Sequence, residues 1–209
     1  ISGLIIFPIL QKTIKTNIES EVNNTTKTIL SMVKTAADAS IKNYLRAVAE
    51  KNNDIVEQSY KLYRQRVLSE QVAKNRAISV LLSQRIGNTG YIYCLDSKGF
   101  IRVHPVTALL GSDLSQYNFI QEQLKNKEGY VEYDWKNPGE LSVRPKALYM
   151  TYFKPWDWII SVSSYREEFT QLVNINNFRA SILSIRFGKT GYSYIFDSKG
   201  NIIVHPLLT

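Results

Sequence analysis

The chain has 209 residues, 44% of them apolar and 21% charged, enough to bury a sizeable core in one or two domains and too apolar for a disordered tail. Its net charge of +8 comes from Lys and Arg scattered singly among Asp and Glu, which argues against nucleic acid as a partner. The single cysteine, Cys94, excludes an intrachain disulfide and a cysteine-rich zinc site, and the two histidines, His104 and His205, are too far apart in sequence to make a metal-site spacing.

The apolar stretch Leu4 to Leu10 is far shorter than the roughly 20 residues that cross a bilayer. Residues 1–10 are therefore either the outer end of a transmembrane helix or the start of an ordinary one. From Gln11 to about Val67 neither glycine nor proline interrupts the chain, and Ile14, Ile18, Val22, Thr25, Ile29, Met32, Ala36 and Ala39 recur at helical spacing. Residues 11–68 are predicted to form one long amphipathic stalk helix of about 80 Å at 1.5 Å per residue. A second helix is predicted from Ser69 to Ile86.

Arg85 to Pro105 (RIGNTGYIYCLDSKGFIRVHP) then returns as Arg186 to Pro206 (RFGKTGYSYIFDSKGNIIVHP), an internal repeat that predicts two related modules. Each copy is a β-hairpin. Strands Tyr91–Leu95 and Phe100–His104, repeated as Tyr192–Phe196 and Asn201–His205, flank an Asp-Ser-Lys-Gly turn whose glycine supplies positive φ. Aromatic and β-branched residues suit a pleated surface, and the proline after each histidine ends the strand. Between the copies the sequence predicts a helix from Gln116 to Asn126 and strands Tyr130–Trp135, Lys146–Phe153 and Trp158–Tyr165, punctuated by Asn137-Pro-Gly139 and Pro155.

The predicted fold class is α+β: a long N-terminal helix, a PAS-like module at 69–170 with an antiparallel sheet of about five strands flanked by helices, and the start of a second module. Residues 171–209 are expected to supply a linker helix and only the first hairpin of that second module. A hairpin without the rest of its sheet should present an open edge.

Five segments in order carry a family resemblance. They are Gly90-Tyr-Ile-Tyr-Cys-Leu-Asp-Ser-Lys-Gly99 with His104-Pro105, then Gly129-Tyr-Val-Glu-Tyr-Asp-Trp135, Pro145-Lys146 with Tyr149, and Trp156-Asp-Trp-Ile-Ile-Ser-Val-Ser-Ser-Tyr165. They resemble Cache domains, sensor modules of bacterial and archaeal chemoreceptors and histidine kinases, and the long helix entering two modules is similar to the double Cache arrangement. The resemblance implies an extracytoplasmic ligand-sensing domain of a transmembrane signal-transduction receptor, tied to the cell membrane through flanking helices. It also implies a small organic ligand in the first module, held between the sheet and the segments from His104-Pro105 through the short helix.

The residues themselves suit such a site, which needs apolar walls and a few orienting polar groups. Tyr93, Tyr133, Trp135 and Tyr149 stand beside Lys146, His104 and Ser163, and an ammonium with tyrosine hydroxyls suits a short carboxylate ahead of an amine or amino acid. Each residue has a structural alternative. The tyrosines serve equally as core residues, His104 can tie down the loop after it, and Lys146 can be a solvated edge lysine. No nucleophile elbow, phosphate-cradling loop or paired-carboxylate motif is present, so the expectation is no enzyme, no cofactor and no metal. The competing expectation is a non-binding dimerisation or spacer element, with the long helix as a homodimer interface.

Overall fold

The computed structural model describes residues 2–137, 139–172 and 175–208. The chain forms two compact units, one of residues 38–172 and one of residues 1–37 with 173–209. Helix α1 (Ser2–Arg64) contributes to both.

Within the 38–172 unit, α1 buries Ile41, Leu45, Ala49, Asn52, Val56 and Ser59, recurring every three or four residues along one face. Arg66, at φ 60, helps turn the chain, and α2 (Glu70–Ser83) starts where the Ser69 side chain accepts the Val72 N–H. Small Ala73 and Ala77 with Leu81 form the buried face of α2.

Strands β1 (Tyr91–Leu95), β2 (Ile101–Val103), β3 (Gly129–Trp135), β4 (Arg144–Phe153) and β5 (Trp158–Tyr165), with α3 (Asn118–Asn126) between β2 and β3, complete this unit. The sheet order is β2-β1-β5-β4-β3, and every pair is antiparallel. The two-residue period of a strand divides the side chains between two cores. Ile92, Cys94, Ala147, Tyr149, Ile160 and Val162 pack with Leu45, Val56, Ala77 and Leu81 of the two helices. Tyr93, Leu95, Val131, Leu148, Met150 and Ile159 pack on the opposite face with Ile120 of α3.

The other unit adds α4 (Asn176–Ser184), then β6 (Arg186–Phe187) paired with β7 (Gly191–Tyr192), and β8 (Ile195–Phe196) paired with β9 (Ile202–Val204). The α+β fold class is as expected, a long helix followed by a five-stranded antiparallel sheet with helices. Two details differ. The strand expected over Tyr192–Phe196 is broken into β7 and β8: its counterpart β1 is held between β2 and β5, whereas among the described residues β8 pairs only with β9. The apolar stripe marked along the start of α1 is also largely solvated, with Ile14, Ile18, Val22 and Met32 exposed. The helix face that packs on the sheet begins at Ile41, just beyond that stripe. Among the described residues no helix is long and apolar enough to cross a membrane.

Candidate ligand-binding site

On the sheet face away from α1 and α2 lies a cavity of about 300 Å³. Tyr91 and Tyr93, two residues apart on β1, share its floor with Tyr133 and Trp135 of β3, while Ile101 and His104 close one end. Leu109, Leu114, Tyr117, Phe119 and Ile120 cover it from the segment after β2 and from α3, and Lys136, Asn137, Gly139 and Glu140 close it from the β3–β4 loop. Phe119 stacks on Tyr133 at 4.1 Å between ring centroids, with the planes 6° apart, and meets the edge of Trp135. These aromatic contacts fix the roof against the floor.

The polar groups are held by specific partners. Tyr133 Oη and Ser163 Oγ share a 2.8 Å hydrogen bond, and the Gln123 amide donates to Tyr93 Oη at 2.9 Å while accepting from Ser161 Oγ at 2.6 Å. Burial raises the Tyr93 and Tyr133 phenols above the ordinary value and brings Tyr91 to about 12, so all three are neutral donors near pH 7. His104 Nδ1 accepts the Val106 N–H at 2.9 Å and lies 3.3 Å from the Val106 carbonyl oxygen, so the ring is tied to the loop that follows it. Burial, with Lys146 adding a smaller effect against an opposing backbone hydrogen bond, lowers its pKa.

Lys146 is fully buried in the middle of the sheet, opposite Tyr133 on one neighbouring strand and Tyr165 on the other. Its Nζ donates to Asn137 Oδ1 at 3.1 Å and lies 4.4 Å and 4.9 Å from the centroids of the Tyr91 and Tyr165 rings. No carboxylate forms an ion pair with it among the described residues. Burial pulls its pKa down to about 8, against an opposing pull from Glu140 and Glu168. Glu140 is instead committed to the Tyr165 hydroxyl, the Asn137 N–H and Arg144, and the Tyr165 hydrogen bond leads in holding its carboxyl below the ordinary range. Arg144 in turn bridges Glu140 and Glu167.

Of the seven residues singled out in the sequence, Tyr93, His104, Tyr133 and Trp135 line the cavity. Lys146 and Ser163 sit immediately behind that lining, joined to it through Asn137 and Tyr133. Lys146 is not a solvated edge lysine. Tyr149 is not brought to the site: it stands on the opposite face and packs in the core beneath α1 and α2. The sequence reading passed over Tyr91, Phe119, Gln123, Asn137 and Glu140. Tyr91 was within reach, because strand alternation puts it on the face of Tyr93.

The Cache domain model matches residues 10–208. A 112-residue stretch is 28% identical to the methyl-accepting chemotaxis protein McpP of Pseudomonas putida, covering 48% of this chain and 21% of that protein. The chain therefore spans about a fifth of the length of that curated relative. Among solved structures, a periplasmic sensor domain of a chemotaxis protein superposes with a TM-score of 0.55 at 25% identity, over 61% of this chain and 96% of that one. A methyl-accepting chemotaxis protein from Vibrio parahaemolyticus gives a TM-score of 0.55 at 21% identity over 68% and 99%. A Cache chemosensory domain described by its carboxylic acid recognition gives 0.53 at 21% over 59% and 91%. Those last two likenesses are of fold. With the family model spanning nearly the whole sequence, on a five-stranded sheet that frames an aromatic cavity, the chain belongs to the Cache domain family of signal-transduction sensors.

Proposed function

We propose that the chain is the extracytoplasmic ligand-sensing domain of a membrane receptor, and that the cavity of its first module binds a short carboxylate. The observation that carries this reading is Lys146. A buried ammonium with one neutral acceptor and two aromatic faces around it is costly unless an anion completes it. The site supplies what such a ligand needs: neutral phenols that donate, apolar walls, and a volume suited to a small molecule. Glu140, the acidic residue of the lining, is neutralised by Arg144 and Tyr165, which leaves the cationic charge of Lys146 uncompensated. A solved neighbour of this fold is described by its recognition of carboxylic acids, which agrees with the chemistry here.

In this reading residues 69–170 form the ligand-binding Cache module, residues 171–209 begin a second one, and α1 leads toward the membrane. Ligand acts by binding two arrangements of the helices with different affinity. A thermal-shift screen of short carboxylates, amino acids and amines tests it. A carboxylate at about a hundred times its dissociation constant adds roughly 2.7 kcal/mol of stability. A response confined to amines, or no response with a melting temperature that depends on protein concentration, contradicts the proposal, the latter in favour of the spacer reading.

A further inference from the structure

The cavity of the 38–172 unit is unevenly furnished. On the side of the β3–β4 loop, Lys146 lies behind Asn137 and the Tyr91 ring, and the Glu140 carboxylate is part of the lining. The roof, by contrast, is built from Leu109, Leu114, Tyr117, Phe119 and Ile120, which are apolar or aromatic. The phenols of Tyr93 and Tyr133 on the floor are already bonded to Gln123 and Ser163.

The space exceeds what the smallest acids use. At roughly 30 Å³ for each water-sized group, about 300 Å³ holds on the order of ten non-hydrogen atoms. An acetate or propionate would leave much of that volume to water, and ordered water needs polar partners. The roof offers few. The acid that fills this cavity therefore carries an apolar body beside its carboxylate.

The walls say what kind of body. Tyr117 and Phe119 meet Trp135 edge-on, at 5.4 Å and 5.3 Å between ring centroids with the planes 80° and 65° apart. Tyr91 meets His104 in the same way, at 5.0 Å and 70°. Ring faces are negative and ring edges positive, so rings set at steep angles present both to a neighbour. A flat aromatic ring finds complementary edges and faces there, whereas a saturated body of the same size gains contact area alone.

The charges set the number of carboxylates. Lys146 is a fully buried cation, and a second carboxylate on the ligand would meet Glu140, whose own cation, Arg144, is already shared with Glu167. Lys136, the cation within the lining itself, is exposed to solvent.

We infer that the ligand is an aromatic monocarboxylate with a single ring, its carboxylate toward Lys146 and its ring among Tyr117, Phe119 and Trp135. This rests on the carboxylate-binding function proposed above and narrows its ligand class.

Calorimetric titration of the chain with phenylacetate, cyclohexylacetate, propionate and phenylmalonate tests the inference. Phenylacetate and cyclohexylacetate share charge and size and differ in the ring, propionate keeps only the carboxylate end, and phenylmalonate adds a second carboxylate. Phenylacetate is expected to bind about tenfold more tightly than each of the others, as two edge-to-face contacts allow. Trp135→Leu should remove about tenfold of the phenylacetate affinity and leave propionate affinity within about twofold. Tyr117→Leu, at a more exposed position, should do the same and keeps the test decisive where Trp135→Leu fails to fold. Propionate, cyclohexylacetate or phenylmalonate binding as tightly as phenylacetate, and lost in Lys146→Met, would overturn the inference and leave the carboxylate reading standing. No binding by any of these acids, or binding that Lys146→Met does not weaken, would overturn both.

Discussion

The Lys146 ammonium lies 4.4 Å from the centre of the Tyr91 ring and 3.1 Å from Asn137 Oδ1, fully buried and without a carboxylate partner among the described residues. That isolation is what the proposed anion site requires of its cation. It leads to expectations about binding, pH and stability that pull in different directions.

Replacing the ammonium by an apolar group of similar length separates binding from folding. Lys146→Met should lose carboxylate binding and still fold, with stability unchanged or raised by roughly 1 kcal/mol, because it removes a desolvated and uncompensated charge. Urea midpoints and a ligand titration on the same sample check both halves.

The pH dependence follows from the depressed pKa. Folded Lys146 releases its proton near pH 8 and an unfolded lysine near 10.5, so between those values the unfolded chain binds more protons. The Lys146 contribution to stability therefore rises from about pH 8 to about pH 10. Higher still, buried Tyr91 keeps its proton to about 12 while an unfolded tyrosine ionises near 10, and stability falls. Carboxylate affinity should weaken above about pH 8, as the free protein loses the charge the ligand needs. Calorimetry near pH 8.5 in buffers of different ionisation enthalpy should show proton uptake on binding.

Gln123 is the polar hub under the roof, serving both Tyr93 and Ser161. Gln123→Leu leaves two buried hydroxyls without that partner and should cost about 2–6 kcal/mol, at 1–3 kcal/mol for each orphaned group. Tyr133→Phe orphans the single buried hydroxyl of Ser163 and should cost about half as much, roughly 1–3 kcal/mol. Chemical denaturation of the two variants gives that order or refutes it.

Much of this was legible in the sequence. The repeat, the Asp-Ser-Lys-Gly turns and the aromatic alternation of Tyr91 to Leu95 locate the hairpins without any long-range information. The placement of Tyr149 shows where local reading fails. β4 is buried on both faces, so its apolar run does not announce which side each residue takes. Parity did hold the answer: with Lys146 turned toward the cavity, Leu148 and Met150 share its face and Tyr149 cannot. The roles of Gln123, Glu140 and Glu168 were beyond reach. Each is defined by contacts across 25 to 80 positions of sequence, which composition and spacing do not encode.

The Glu168 carboxylate accepts the N–H groups of Asn88 and Thr89 and the hydroxyls of Thr89 and Ser164, and this loop before β1 supplies a stability test of its own. Gly90→Ala would force a Cβ to 2.3 Å from the Ile86 carbonyl oxygen and 2.4 Å from Ser164. It should cost about 3 kcal/mol, the upper end for overpacking. Glu168→Gln, which removes the charge but keeps the shape, should cost roughly 1–2 kcal/mol. Thermal unfolding of both variants provides the comparison.

The most direct measurement is a calorimetric titration at pH 7 of wild type and Lys146→Met with the short carboxylate that gives the largest thermal shift. Saturable one-to-one binding to wild type, with affinity at least a hundredfold lower in the folded Lys146→Met protein, is the predicted result. Equal affinity in the two proteins would contradict the assignment of Lys146 as the anion-binding group of the site.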